Sequence, residues 1–231
     1  MPTQRLTLTS EKDTWYPNSI PTLENYLSFL IKPNVYFDIS KCKGIRKNLA
    51  YNLQYIEFLD RVIKDVKLSS VLYTQNFKIF LIVGSSIIES IFHYLVVSSG
   101  NGKTTNLKEI ESYESKDYIL GSKTFKNKTQ IYLKLDTPIN VEMTFDQMSK
   151  KVESKKLLGN SFSFYSKINP LRQLRNKIHI HSSDNSSDTD WYNFSRTEYT
   201  LIREVLYSVL ISEVFQHNSN YDIFDFLNIQ I

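Results

Sequence analysis

One stretch of the chain concentrates more usable chemistry than any other: Leu171-Arg172-Gln173-Leu174-Arg175-Asn176-Lys177-Ile178-His179-Ile180-His181. It brings guanidinium groups, a carboxamide and two imidazoles into one short segment. An arginine offers a planar fork that matches phosphate oxygens and never loses its charge. A histidine titrates near neutral pH and can give or take a proton. Together they suit chemistry at a phosphodiester. The plainer alternative is electrostatic, because Arg and His at the end of a helix also favour the negative pole of its dipole.

The surrounding sequence sets how these groups are held. Leu171, Leu174 and Ile178 fall at i, i+3 and i+7, the spacing of one apolar helical stripe, and Arg175, Asn176 and His179 lie off it. Pro170 suits the first turn of that helix, where a missing N–H is no loss. Beyond His181, residues 182–188 are all Ser, Asp or Asn, which offer the backbone competing hydrogen bonds, so the helix is expected to fray there.

Arg175-Asn176, with five residues between Arg175 and His181, resembles the signature of the HEPN superfamily. Leu171-Arg172-Gln173-Leu174 also reads like the run into that motif. The likeness is specific over this stretch and looser over roughly residues 47–216. It implies an α-helical, usually dimeric domain. Such domains often act as metal-independent endoribonucleases in toxin–antitoxin, abortive-infection or other phage-defence systems, and some serve as non-catalytic binding modules. By the resemblance, Arg175, Asn176 and His181 are the site residues. An acidic or polar residue on an earlier helix often supports such a site, and Glu89 is the candidate for that place. In one toxin branch a Tyr lies two residues past the motif His; here that position is Ser183, so modification of a Tyr there is not supported.

The elements that must position these groups are mostly helical. Leu49, Leu53, Ile56, Leu59, Ile63 and Val66 repeat at threes and fours, which predicts a helix over residues 46–67. A second helix, over residues 72–97, carries Phe77, Phe80, Leu81, Ile87, Ile88, Ile91, Phe92 and Leu95 and is apolar enough to be central. Polar residues such as Lys78, Glu89 and His93 interrupt it, so it holds no run of 18 apolar residues and no membrane span is expected. Gly84-Ser85-Ser86 leaves room for another helix to come close. Glu89 and His93, at i and i+4, share a face of this helix.

Residues 1–43 read as an appendage packed on the main domain of residues 44–231. It holds a short helix over residues 23–31, stopped by Pro33, and an extended arm at residues 35–39. Residues 106–143 read as an insertion. Ile131, Leu133 and Leu135 alternate with Tyr132 and Lys134, and a β-hairpin turning at Asp136-Thr137-Pro138 is expected. Thr144 and Gln147 form a capping box for a helix to Leu158, and Ser195 or Thr197 caps a last long helix to about Gln216. The tail carries Phe224, Phe226, Leu227 and Ile229 and is expected to dock. The fold class expected is therefore mainly α, a HEPN-like helical bundle with a small β-hairpin insertion.

Several other chemistries are weakly represented. Cys42 is the only cysteine, which rules out a disulfide framework and a multi-thiolate zinc site. Gly102-Lys103-Thr104 ends like a phosphate-binding loop, but position 97 is Val and a helix precedes it, so a helix cap is the better reading. No nucleophile elbow, dinucleotide fingerprint or kinase signature occurs. No carboxylate cluster at fixed spacing is available for a metal, and no cofactor is expected. The start of the chain lacks the apolar segment of a signal peptide, so a cytoplasmic location is expected. Net charge is +4 with a pI near 8.9, which permits RNA binding. The 15 Tyr and 14 Phe offer rings that could stack on bases as well as fill the core.

The function that the resemblance implies is RNA cleavage without metal by a homodimer, with an antitoxin or another defence protein as partner. The rival expectation is a catalytically inactive module that binds RNA, a nucleotide or a protein. The two histidines then give the first prediction. On a regular helix His179 lies about 40° from Arg175, whereas His181 lies about 240° round. The family spacing nevertheless selects His181, and a frayed last turn would let its ring swing back. His181→Ala is expected to abolish RNA cleavage and His179→Ala to reduce it less. Full activity in His181→Ala with none in His179→Ala would reverse the assignment.

Overall fold

The computed structural model describes residues 7–8, 15–160, 165–177, 189–215 and 221–229. The protein is mainly α with a small amount of antiparallel sheet. It divides into a helical unit, Met1–Gly100 with Thr144–Ile231, and a strand unit, Asn101–Met143.

In the helical unit α1 (Ile20–Leu27) opens at Ser19, whose hydroxyl accepts the Thr22 N–H. Leu23, Tyr26, Leu27 and Ile31 are fully buried, so the segment expected as an appendage contributes to the core. The extended arm expected at residues 35–39 does not form. The Asn34 side chain accepts the N–H groups of Tyr36 and Phe37 at 2.9 and 3.1 Å, a local turn that outcompetes a strand. Asp38 then accepts the Lys41 N–H at 2.7 Å and starts α2 (Ile39–Asp65). The helix therefore begins seven residues before its expected start at residue 46, and the expected boundary at residue 43 falls inside it.

Helix α3 (Ser70–Ser98) is central. It packs against α2, α4 (Phe145–Ser154), α5 (Tyr165–Asn176), α6 (Asp190–Asn193) and α7 (Arg196–Leu210). It is long and apolar enough to cross a membrane, with mean hydropathy 1.8 over 18 residues, but 61% of that window is buried inside the fold. Phe80, Leu81, Ile87, Ile88, Ile91 and Phe92 are almost wholly enclosed. Gly84 sits where α7 crosses. A Cβ there would lie 2.8 Å from Ile202 Cγ1, so only glycine permits this approach. Gly100, at φ +71°, follows the helix end and donates its N–H to the Val97 carbonyl.

The expected capping box of Thr144 with Gln147 is present on α4, and of the two expected caps of the last helix it is Ser195 that opens α7, in a capping box with Glu198. Helix α5 differs from expectation. Among the described residues it runs Tyr165–Asn176, which places Pro170 inside it rather than in the first turn. Burial of Ile168 and Leu171 on either side of the proline holds the helix across the missing N–H. A short 3₁₀ turn at Tyr221–Leu227 docks the described part of the tail, burying Phe224 and Leu227. Tyr26 stacks on Phe215 at 5.2 Å and meets the edge of Phe224 at 4.9 Å. A two-residue ladder joins β1 (Thr7–Leu8) to β2 (Val66–Lys67).

The strand unit is a long antiparallel hairpin of β3 (Lys103–Glu114) and β6 (Lys128–Val141), capped by a smaller one, β4 (Tyr118–Leu120) with β5 (Lys123–Phe125). The turn expected at residues 136–138 is instead a bulge within β6. Thr105 pairs with Ile139 and Leu107 with Lys134, so residues 135–138 oppose Asn106 alone. A bulge accommodates Pro138, which has no N–H for a ladder bond.

The close crossing at Gly84 generates a prediction. Gly84→Val is expected to lower stability by about 1–3 kcal/mol through overpacking against Ile202. Gly44, in exposed α2 with nothing within 4 Å of its Cβ position, is the control. Gly44→Ala should raise stability by about 0.5–1 kcal/mol. Urea unfolding of both variants measures the contrast, and equal effects would remove the steric argument.

Candidate functional site

Arg175 lies in the last turn of α5 and its fork reaches α3. Its Nη2 is 2.8 Å from Glu89 Oε2. The side chains are 33% and 25% exposed, so the pair is open to solvent on one side. The structure thus brings together two of the residues singled out above, from positions far apart in the chain. Asn176 is the final residue of α5. His179 and His181 lie outside the described residues.

The flanks of that stretch are nonetheless anchored. Lys177 Nζ donates to Asn193 Oδ1 at 3.1 Å, tying the end of α5 to α6. Asp190 of α6 is bound to α3 by Lys78 Nζ at 2.9 Å and Gln75 Nε2 at 2.9 Å. Desolvation pushes the Asp190 carboxyl upward, but hydrogen bonds from Gln75 and Lys78 prevail and hold it below the usual range. Lys78 is buried yet paired and lies 5.4 Å from the Phe194 ring centre, which is how an aliphatic core helix tolerates an ammonium group. Trp191 and Tyr192 of α6 are 53% and 68% exposed. Their only sequence signal is that two aromatics follow directly on a polar Ser/Asp run.

One turn before Arg175 on the same helix, Arg172 makes a second set of contacts. Its Nη1 is 3.3 Å from Asp146 Oδ1 of α4, and its Nη2 donates to Asn169 Oδ1 at 2.8 Å. Its Nε is buried and has no hydrogen-bond partner among the described residues. The Lys150 ammonium, then the Arg172 charge, holds the Asp146 carboxyl below its usual range. His93 is exposed one turn beyond Glu89 on α3, with its ring 6.2 Å from Phe37. Among the described residues, no three His, Cys, Asp or Glu side chains gather as metal ligands do.

Chemically, the arrangement offers a fixed cation at a helix end, a carboxylate that orients it, and exposed aromatic rings on a neighbouring turn. No family model, curated protein or solved structure matches this chain.

The exposure of the Arg175–Glu89 pair sets its expected worth. A solvent-facing ion pair contributes about 0.2–1 kcal/mol. A double-mutant cycle of Glu89→Gln and Arg175→Gln in urea is expected to give a coupling in that range. A coupling well above it would mark the pair as a structural clamp between α3 and α5.

Proposed function

We propose that this protein is a HEPN-like endoribonuclease that cuts RNA without a metal ion. The observation that carries the reading is the Arg175–Glu89 pair. It joins the motif arginine to an acidic residue on the central helix, where the resemblance calls for one.

In the proposed reaction a histidine of the motif, His181 or His179, removes the proton from a ribose 2′-OH. The freed oxygen attacks the adjacent phosphorus, and the bond to the 5′-oxygen of the next nucleotide breaks. An acid protonates that leaving oxygen. Arg175 offsets the negative charge that builds on the phosphoryl oxygens, with its fork held by Glu89. Asn176 orients the histidine or the phosphate by hydrogen bonds. Trp191 and Tyr192 provide faces on which unpaired bases stack. One chain supplies few such groups, so the cleft is proposed to be composite, with the motif helices of two subunits facing each other. A cytoplasmic defence setting, with a toxin's antitoxin or another defence protein as partner, belongs to the same proposal.

The second reading, a non-catalytic binding module, draws on the same ion pair, because Glu89 neutralises part of the charge Arg175 would otherwise turn on a phosphate.

Purified protein, a dimer by light scattering, is expected to cut RNA in EDTA and to leave 2′,3′-cyclic phosphate and 5′-hydroxyl ends. A single 2′-deoxy nucleotide at the cut site should block cleavage there. Acid–base catalysis is worth roughly 10²–10⁴-fold and one electrostatic donor roughly 10²–10³-fold, so Arg175→Ala should fall to near background. Unchanged cleavage in Arg175→Ala, or cleavage at the deoxy site, overturns the mechanism. A folded dimer that cuts no RNA leaves the binding module.

A further inference from the structure

The outer face of α2 carries a stripe that core packing does not explain. Lys47, Tyr51, Tyr55 and Phe58 follow one another at i, i+4, i+8 and i+11. On a regular helix they fall within an arc of about 80° and a rise of about 16 Å. Tyr51, Tyr55 and Phe58 are 47%, 42% and 47% exposed, while Leu49, Leu53 and Ile56 on the opposite side of the helix are buried. The Tyr55 and Phe58 ring centres are 6.5 Å apart, with the rings 20° from parallel. Lys47 Nζ lies 5.9 Å from the Tyr51 ring centre. Exposed rings gathered on one face, with a cation at one end, mark a surface that another molecule covers.

Charge decides which molecule. Between residues 39 and 58 the cations are Lys41, Lys43, Arg46 and Lys47, and the only acidic residue is Glu57. Glu57 is buried, and its carboxylate accepts the Asn18 backbone N–H at 2.8 Å and the Asn18 side-chain amide at 3.1 Å. Asp38, just before the stretch, is engaged in the helix cap. The face thus attracts a polyanion. A second copy docked face to face would bring more cations and no exposed carboxylate to answer them. A lipid surface asks for a broad apolar face, whereas here the exposed amides Asn48 and Asn52 flank the rings.

Spacing decides its form. Successive rings rise by about 4.5–6 Å along the helix, wider than the roughly 3.4 Å per nucleotide of a duplex strand. Bases that reach all three must be unpaired and drawn apart, each with a face free to stack. Lys47 then meets a phosphate beside the nucleotide whose base lies on Tyr51. The stripe holds none of the residues of the Arg175 site. Resting on the proposed ribonuclease reading, we infer that the outer face of α2 is a second RNA-binding surface. A single strand stacks there over Tyr51, Tyr55 and Phe58, outside the nucleotides being cut. A contact made equally by substrate and transition state lowers KM and leaves kcat unchanged.

A fluorescent single-stranded oligouridylate, blocked against cleavage by 2′-O-methyl groups, is titrated into the full-length protein by anisotropy. In parallel, a cleavable strand is assayed in EDTA. Tyr55→Leu and Phe58→Leu are each expected to weaken binding about 5- to 100-fold, the loss of one stacked base. Tyr55→Phe keeps the ring and should bind as wild type does. In cleavage the two Leu variants should raise KM by the same factor with kcat unchanged. Lys47→Gln should lower the slope of log affinity against log salt by about 0.7. A duplex of the same length, its base faces hidden, should bind more weakly, and equal binding overturns the stacked arrangement. Circular dichroism shows that each variant is folded, and light scattering gives its oligomeric state. Unchanged strand binding in folded Tyr55→Leu and Phe58→Leu overturns the surface, and continued cleavage then leaves the ribonuclease reading standing. Ring-dependent binding of the strand by a protein that cuts no RNA supports the surface and removes the ribonuclease reading. Dissociation of a dimer in the two Leu variants assigns the face to a second copy and overturns the RNA surface. Ring-dependent binding of anionic vesicles, with none of the strand, overturns it as well.

Discussion

The helical unit depends on how closely α7 can approach α3. Gly84 removes the one side chain that would hold the two helices apart, and Ile202 and Leu206 occupy the space gained. The hydrophobic return on that contact is large because α3 is apolar on several faces and buries most of them. With α7 seated there, Tyr199 reaches back to α2. Its hydroxyl donates to the buried carboxylate of Asp60, which Lys64 also approaches at 2.7 Å and Arg203 at 3.7 Å. Desolvation and the neighbouring carboxylate push the Tyr199 phenol far above its usual range, so it remains a donor at any pH the protein meets.

The polar groups on α3 divide by what meets them. Lys78 is buried and answered by Asp190, which secures α6. Ser85 is buried beside the crossing. Glu89 is only partly covered and is answered by Arg175, which secures the end of α5. One helix therefore anchors both flanks of the segment that carries the motif.

The strand unit follows different physics. A two-stranded hairpin buries little on either face, and Ile110, Tyr113, Ile131, Tyr132 and Leu133 are all substantially exposed. Its internal order comes from cross-strand pairs and local bonds: Tyr118 stacks with Phe125 at 6.1 Å, and the Tyr118 hydroxyl donates to Asn127 at 2.9 Å.

The sequence by itself determined the parts that local chemistry specifies. Apolar repeats marked α2 and α3, because the apolar face of a helix must turn to the core. Thr144–Gln147 marked one helix start, because a hydroxyl and a carboxamide three residues apart satisfy backbone donors reciprocally, and a cap at Ser195 or Thr197 marked another. Alternation marked β6, though its partner was wrong: a bulge and a distant strand are cheaper for Pro138 than the tight turn its local sequence resembles. The start of α2 was missed because Asp38 caps a polar first turn that carries little periodicity. The place of Pro170 inside α5 was missed because proline reads locally as a beginning, while burial of Ile168 and Leu171 carries the helix through it. Arg175, Asn176 and the histidines were legible as a motif, and Glu89 as a polar break in an apolar helix. The contact between Arg175 and Glu89, and that between Arg172 and Asp146, were decided only by tertiary structure. Each joins side chains whose neighbours in sequence say nothing of one another, and only the packing of α3, α4 and α5 brings them within reach.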